Sequence, residues 1–157
     1  MTIRLEKKSR GADEKDLTGL RAVVGDAHPD WMDFLRENNG AVPENNVFDI
    51  EPDNAAGITR FWSAREVMSE RKKLADRMSP DLLAIADAEG GNHVCLGLSG
   101  GKGVFFWDHE VEATTRMADS FSAFLEQLRP FDPASVEVGE VISAWIDPAF
   151  LEKQKKK

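Results

Sequence analysis

The sequence predicts an α+β class, with helices packed on a mostly antiparallel sheet in a single domain. Two patterns carry this. Between Leu82 and Trp107, short apolar runs alternate with turn signals spaced too closely for βαβ crossovers, which points to an antiparallel meander. Before and after that region, apolar residues recur at helical spacing, as in Leu17, Leu20 and Val24 or Phe121, Phe124, Leu125 and Leu128. The chain has 157 residues, the usual size of one domain. At that size folding hides about 70% of the surface exposed by the unfolded chain, enough for one core without covalent staples.

Residues 1–12 are polar and without period, and are expected to form a mobile arm. Leu17, Leu20 and Val24 share one face of a first helix, which Gly25 ends. Pro29 suits the first turn of a second helix, because its missing N–H would be unpaired there anyway. Trp31, Phe34 and Leu35 form the apolar stripe of that helix, and Asn38-Asn39-Gly40 stops it. A loop with Pro43 and Asn45-Asn46 follows. Val47, Phe48 and Ile50 then read as a short strand, Pro52 to Gly57 as a turn, and Ile58 to Trp62 as the partner strand.

Ser63 to Glu66 fits a capping box, with the serine able to accept from the N–H three residues on and the glutamate reaching back. The helix it opens carries Val67, Leu74 and Met78, with Pro80 just past its end. Leu82 to Ala86 is an apolar strand, and Glu89 to Asn92 a turn. Val94, Leu96 and Leu98 alternate with His93, Cys95 and Gly97, the period of a strand with one face buried. Ser99 to Gly103 is a second turn, followed by a strand over Val104 to Trp107. Met117, Phe121, Phe124, Leu125 and Leu128 sit at offsets that place them on one face of a single helix lying on the sheet, ended by Pro130 and Pro133. The stretch 135–150 is too apolar for a linker and is expected to fold back. The lysine-rich residues 152–157 are expected to form a disordered basic tail, leaving 13–151 as the folded domain.

Charge narrows the partners. The first 15 residues and the last six are net basic, and between Asp16 and Leu151 eleven bases face twenty-four acids, a net of −13. Nucleic acid is therefore not an expected partner, since binding it needs a basic footprint. An acidic body is suited to attracting a basic protein surface. Cys95 is the single cysteine, which points to a reducing compartment. No apolar run follows the N-terminal bases as in a secretory signal, and none approaches the roughly 20 residues of a membrane span. The reading is a cytoplasmic protein that does not engage a membrane.

Residue patterns for catalysis are thin. Gly101-Lys102 is followed by Gly103, and position 96 is Leu, so the phosphate-loop spacing fails. Asp108, His109 and Glu110 are adjacent at a strand end, where alternation sends His109 to the opposite side from its neighbours. Asp87, Glu89 and Asn92 lack the glycine spacing of a calcium loop. Cys95 lies inside an alternating strand, where cysteine is usually a small buried hydrophobe. His28, His93 and His109 are far apart in sequence, so a Cys–His nucleophile would need the fold to assemble it. No metal, no cofactor and no enzymatic activity are expected. Trp31, Trp62, Trp107 and Trp145 read as core. Asp87, Glu89, Asp108 and Glu110, with Glu112, flank one pair of strands and form a candidate anionic patch for a cationic partner.

The order of several segments adds a family resemblance. They are Leu20 through Gly40, containing Pro29-Asp30-Trp31 and Asn39-Gly40; Phe61-Trp62-Ser63 and the helix after it; Ala84 to Asp87 leading to Gly91-Asn92; Val104 to Glu110; and Ala118 to Leu125. Together they cover most of residues 17–128, and in them the chain resembles the SUKH superfamily. That group includes fungal cell-wall assembly regulators and many bacterial immunity proteins. Two features depart from the pattern: Ala41 follows Gly40 where the family often has another glycine, and 135–150 lies outside the match. The resemblance implies helices on a twisted, largely antiparallel sheet and a function in binding other proteins. The implied function is immunity, with a cognate toxin, often a nuclease, neutralised in the cytoplasm. The alternative is a regulatory or scaffold protein acting on a housekeeping partner. Asp87, Glu89, Asp108 and Glu110 are the residues expected to meet a basic toxin domain.

Overall fold

A computed structural model of the chain describes residues 3–98 and 102–132. In chain order the elements are β1 (Leu5–Lys8), α1 (Glu14–Val24), α2 (Pro29–Glu37), β2 (Ala41–Pro43), β3 (Val47–Glu51), β4 (Asn54–Phe61), α3 (Ala64–Leu74), β5 (Leu82–Ala88), β6 (Asn92–Gly97), β7 (Val104–Asp108), β8 (Ala113–Ala118) and α4 (Phe121–Gln127). The strands hydrogen-bond in the order β1-β2-β4-β5-β6-β7-β8, and β3 pairs with β4 off that path. Every strand pairing among the described residues is antiparallel. This is the α+β architecture that the turn spacing implied, with β5 to β8 as a meander.

Local chemistry sets several boundaries. α3 begins in a complete capping box: Ser63 Oγ accepts from Glu66 N, and Glu66 Oε1 accepts from Ser63 N. Asn39 adds a cap from outside the helix, its Oδ1 accepting the Ala64 N–H at 2.8 Å. Two N–H groups that the first turn would leave unpaired are thereby satisfied. α2 starts at Pro29 and buries Trp31, Met32, Phe34 and Leu35. α1 buries Leu17, Leu20 and Val24, the face that its spacing marked.

Register places the core. Phe61 pairs with Ala86, Ala86 with Val94, and Val94 with Phe106. Residues directly opposite across strands share a face, so these four form a row across β4 to β7. Phe34 of α2 and Phe121 of α4 meet Phe61 on that face with centroids 5.3 and 5.9 Å away, and Phe48 joins Phe106 to Phe124. The next row, Arg60, Asp87, His93 and Trp107, points the other way, toward the side where α3 packs on β5. Arg129, just past α4, closes the first layer. It exchanges two backbone bonds with Val47 and grips Asp49 through both terminal nitrogens at 2.8 Å.

Five expectations are corrected. Residues 5–8 lie within the stretch read as a mobile arm, yet they form β1, held to β2 by backbone pairing and by Glu44 N–H on Arg4 O. Backbone bonds need no apolar period, so this edge strand has a weak signature. Ala41–Pro43, read as the start of a loop, is β2 for the same reason. The turn expected over Pro52 to Gly57 is only Pro52-Asp53, because β4 already begins at Asn54. β6 is buried from Val94 through Gly97, on both faces rather than one, because the alternate side is also covered: Cys95 Sγ meets Met78 Sδ at 3.8 Å. Met117 belongs to β8, and the helix after it starts only at Phe121. The interval of four from Met117 to Phe121 mimics helical spacing across a strand-to-helix junction. The expectations for 135–150, Trp145 and 152–157 lie outside the described residues.

Candidate functional site

The four acidic residues singled out from the sequence occupy one end of the sheet in three different environments. β5 and β6 are joined by a single 3₁₀ turn, Glu89–Gly91. The β7–β8 turn lies next to it, because β6 and β7 pair antiparallel from His93 and Trp107 inward. His109 bridges the two turns: its backbone N–H donates to Asn92 Oδ1 at 3.0 Å, and its Nδ1 lies 2.7 Å from the same oxygen. Glu89, Asp108 and Glu110 are thus gathered at this end. Glu89 and Glu110 are exposed. Asp108 turns inward on its own loop, with Oδ1 accepting the Glu110 N–H at 2.8 Å.

Asp87 stands apart. It shares a face with His93 and Trp107, whereas Asp108, next to Trp107 on β7, projects to the other face. Its Oδ2 lies 3.5 Å from Arg60 Nε. Arg60 in turn donates to both carboxylate oxygens of Glu66, one of them at 2.9 Å. That hydrogen bond holds the Glu66 carboxyl below its ordinary range and raises the guanidinium further above its own. Asp87 is therefore partly neutralised within an acid–base–acid chain.

His93 completes that face. Its ring lies nearly parallel to Trp107, with centroids 5.7 Å apart and 12° between planes, and meets Trp62 edge-on at 5.1 Å. Burial pushes its pKa down, against the opposing pull of Asp87. Its Nδ1 has no hydrogen-bond partner among the described residues and sits 3.7 Å from Asp87 Oδ1. Arg77 covers the far side, its guanidinium carbon 5.3 Å from the centroid of Trp107, a cation–π contact. Arg77 also donates to His109 O at 2.6 Å and to Glu112 at 3.1 Å, clamping the β7–β8 turn. Glu112 in that turn has φ 54°, a left-handed conformation uncommon for glutamate.

The remaining chemistry-bearing groups stay separate. His28 is buried against Gly97 O at 2.6 Å. Cys95 is fully buried, which pushes its thiol pKa far up, and its sulfur faces Met78, so no thiolate–imidazole pair is built there. No group of three His, Cys, Asp or Glu among the described residues could hold a metal ion. Trp31, Trp62 and Trp107 are all core. No helix among the described residues is long and apolar enough to cross a membrane.

A second polar feature was not singled out in the sequence. Asp30, Asp33 and Glu37 recur at i, i+3 and i+7 on α2 and line an open cleft of about 450 Å³ between β1, α2 and α4. The spacing was a readable signal of a shared helix face, but only the fold sets apolar side chains of β1 and α4 opposite it.

Comparison with known proteins agrees with this architecture. Residues 13–127 match the SMI1 / KNR4 family (SUKH-1). The chain is also 34% identical over 141 residues to the SPbeta prophage-derived uncharacterized protein YokK of Bacillus subtilis (strain 168), an alignment that covers 73% of each chain. The matched span begins at the start of α1 and ends at the last residue of α4, so it takes in the capped α3, the meander and both turns at the acidic end of the sheet. By the extent of that match, the chain belongs to the SMI1 / KNR4 (SUKH-1) family.

Proposed function

We propose that this protein is a non-catalytic binding module of the immunity type, which neutralises a basic toxin domain by covering its active site or substrate channel. The observation that carries the reading is the net −13 of residues 16–151 on a SUKH-1 domain. Opposite fields speed encounter between an acidic inhibitor and a basic nuclease. The prophage origin in the relative's name fits conflict between bacterial strains better than a housekeeping role. Within the acidic end of the sheet, Glu89 and Glu110 are the exposed contributors and Asp108 shapes the turn that presents Glu110, whereas Asp87 is paired with Arg60 on the opposite face.

The test is growth rescue. The toxic domain encoded beside this gene is expressed in a heterologous bacterium with and without this protein. Rescue and co-purification of the pair support the reading, and the double variant Glu89→Lys, Glu110→Lys should weaken binding and flatten its salt dependence. No neighbouring toxin gene, or no rescue, overturns the immunity role in favour of a regulatory or scaffold partner. Unchanged binding by the double variant removes the patch assignment alone.

A further inference from the structure

The acidic cleft has the composition of a socket. Its rim carries Asp30, Asp33 and Glu37, and its walls include Leu5, Phe121 and Leu125 from β1 and α4. Asp30 is committed to backbone N–H groups, of Trp31 at 2.9 Å and Ser122 at 2.8 Å. Asp33 pairs with Arg36 one turn on. Glu37 is exposed and has no ion pair among the described residues. The rim therefore keeps an excess of negative charge after its internal pairs are made.

An independent feature lies beside it. Asn38 also lines the cleft and is 5% exposed, and its Oδ1 is buried with no hydrogen-bond partner among the described residues. A buried acceptor left unmade costs free energy that a donor from outside would recover. The two features together call for a cation that is also a hydrogen-bond donor. A metal ion does not fit, because no three carboxylates among the described residues come close enough to ligate one. A lysine or arginine side chain fits: its charge answers Glu37, its N–H groups answer Asn38, and its methylene stem lies along the apolar walls.

We propose that the cleft between β1, α2 and α4 is a docking socket for a lysine or arginine of the partner protein, flanked in the partner by apolar residues. The socket rests on the reading of the chain as a protein-binding module and deepens it. It is separate from the acidic end of the sheet, so the two surfaces fail or hold independently.

The test uses the full-length chain labelled for NMR, with two blocked peptides as probes, Leu-Arg-Leu-Lys-Leu and Leu-Glu-Leu-Glu-Leu. The expected result is saturable shifts of the Asn38 side-chain amide and of Leu125 with the basic peptide, in the millimolar range expected for so short a ligand, and none with the acidic one. Glu37→Lys, an exposed substitution that leaves the fold intact, should weaken the basic peptide about tenfold or more, and Asn38→Asp should not abolish it. Absence of saturable shifts, or equal shifts with both peptides, overturns the socket. So do contacts from Asn38 to residues 133–157 in the free protein, which would make the chain's own end the occupant, or concentration-dependent shifts at the cleft, which would make it a second copy. Glu37→Lys carried into the growth-rescue assay separates the two readings. Full rescue by a variant that has lost the peptide removes the socket and leaves the immunity role. Peptide binding with no rescue by the unaltered protein does the reverse.

Discussion

The carboxylate of Asp30, in the first turn of α2, accepts the backbone N–H of Ser122 at the start of α4, 92 residues along the chain, at 2.8 Å. The same side chain accepts from its neighbour Trp31. One aspartate thus pins two helices over the Phe34–Phe61–Phe121 cluster. Asp30→Ala leaves a half-buried N–H without its acceptor and should cost about 1–3 kcal/mol. Urea unfolding followed by far-UV circular dichroism would show a lowered midpoint with an unchanged slope. A midpoint equal to that of the parent would mean that water replaces the carboxylate at no cost.

The Arg60–Glu66 pair makes stability depend on acid. The hydrogen bond from Arg60 lowers the Glu66 pKa below its ordinary 4.5 in the folded protein. A depressed carboxyl contributes stability that is present above the unfolded value and lost as pH falls through the folded one. Urea midpoints should therefore drop on acidification below about pH 4.5, and less steeply in Glu66→Gln. Identical slopes for the two proteins would remove Glu66 from the account. Both partners are about two-fifths exposed, so solvent screening keeps the effect small.

His93 gives a second pH dependence at a higher range. Burial against Trp62 and Trp107 lowers its folded pKa below the ordinary 6.5. The unfolded chain then binds a proton more readily than the native one, so stability is complete above 6.5 and declines as pH falls below it. A histidine titration by NMR should place the His93 midpoint below 6.5. A midpoint above it would mean that Asp87 outweighs burial.

Cys95 is fully buried and its thiol pKa is pushed far up. The thiolate is the reactive form, so a thiol reagent such as DTNB should leave the native protein unlabelled and titrate one group only after unfolding. Rapid native labelling would show that β6 opens far below the global unfolding free energy.

Two glycines should respond differently to alanine. A Cβ on Gly11 would lie 1.7 Å from the backbone oxygen of Arg36, whereas one on Gly57 would meet chiefly the end of the Glu89 side chain at 2.6 Å. The first contact cannot yield without breaking the strap in which Ala12 N–H bonds Leu35 O and Asn39 N–H bonds Arg10 O. Gly11→Ala should cost about 2–3 kcal/mol or more. Glu89 is free to swing into solvent, so Gly57→Ala should cost about 1 kcal/mol or less. Thermal melts of the two variants side by side would test the contrast.

Local sequence was sufficient for the features that depend on neighbours along the chain. The buried faces of α1 and α2, the capping box at Ser63 and Glu66, and the strands on either side of Glu89 to Asn92 are all set by spacing and turn chemistry within a few residues. The excess of acid over 16–151 is likewise a property of composition. Tertiary structure decided what depends on residues far apart. β1 and β2 exist because their backbones find each other across more than thirty residues, and neither advertises a buried face. β6 is covered on both sides because the segment after α3 brings Met78 back over Cys95. Asp87 and Asp108, alike in charge and close to neighbouring strand ends, part company because a one-residue offset in register sends them to opposite faces of the sheet. The acids of α2 have the spacing of a helical stripe, which the sequence reading did not single out, and their cleft arises only where α4 and β1 close around them. Periodicity is a short-range signal, whereas register and the packing of one layer on another are fixed by the whole chain at once.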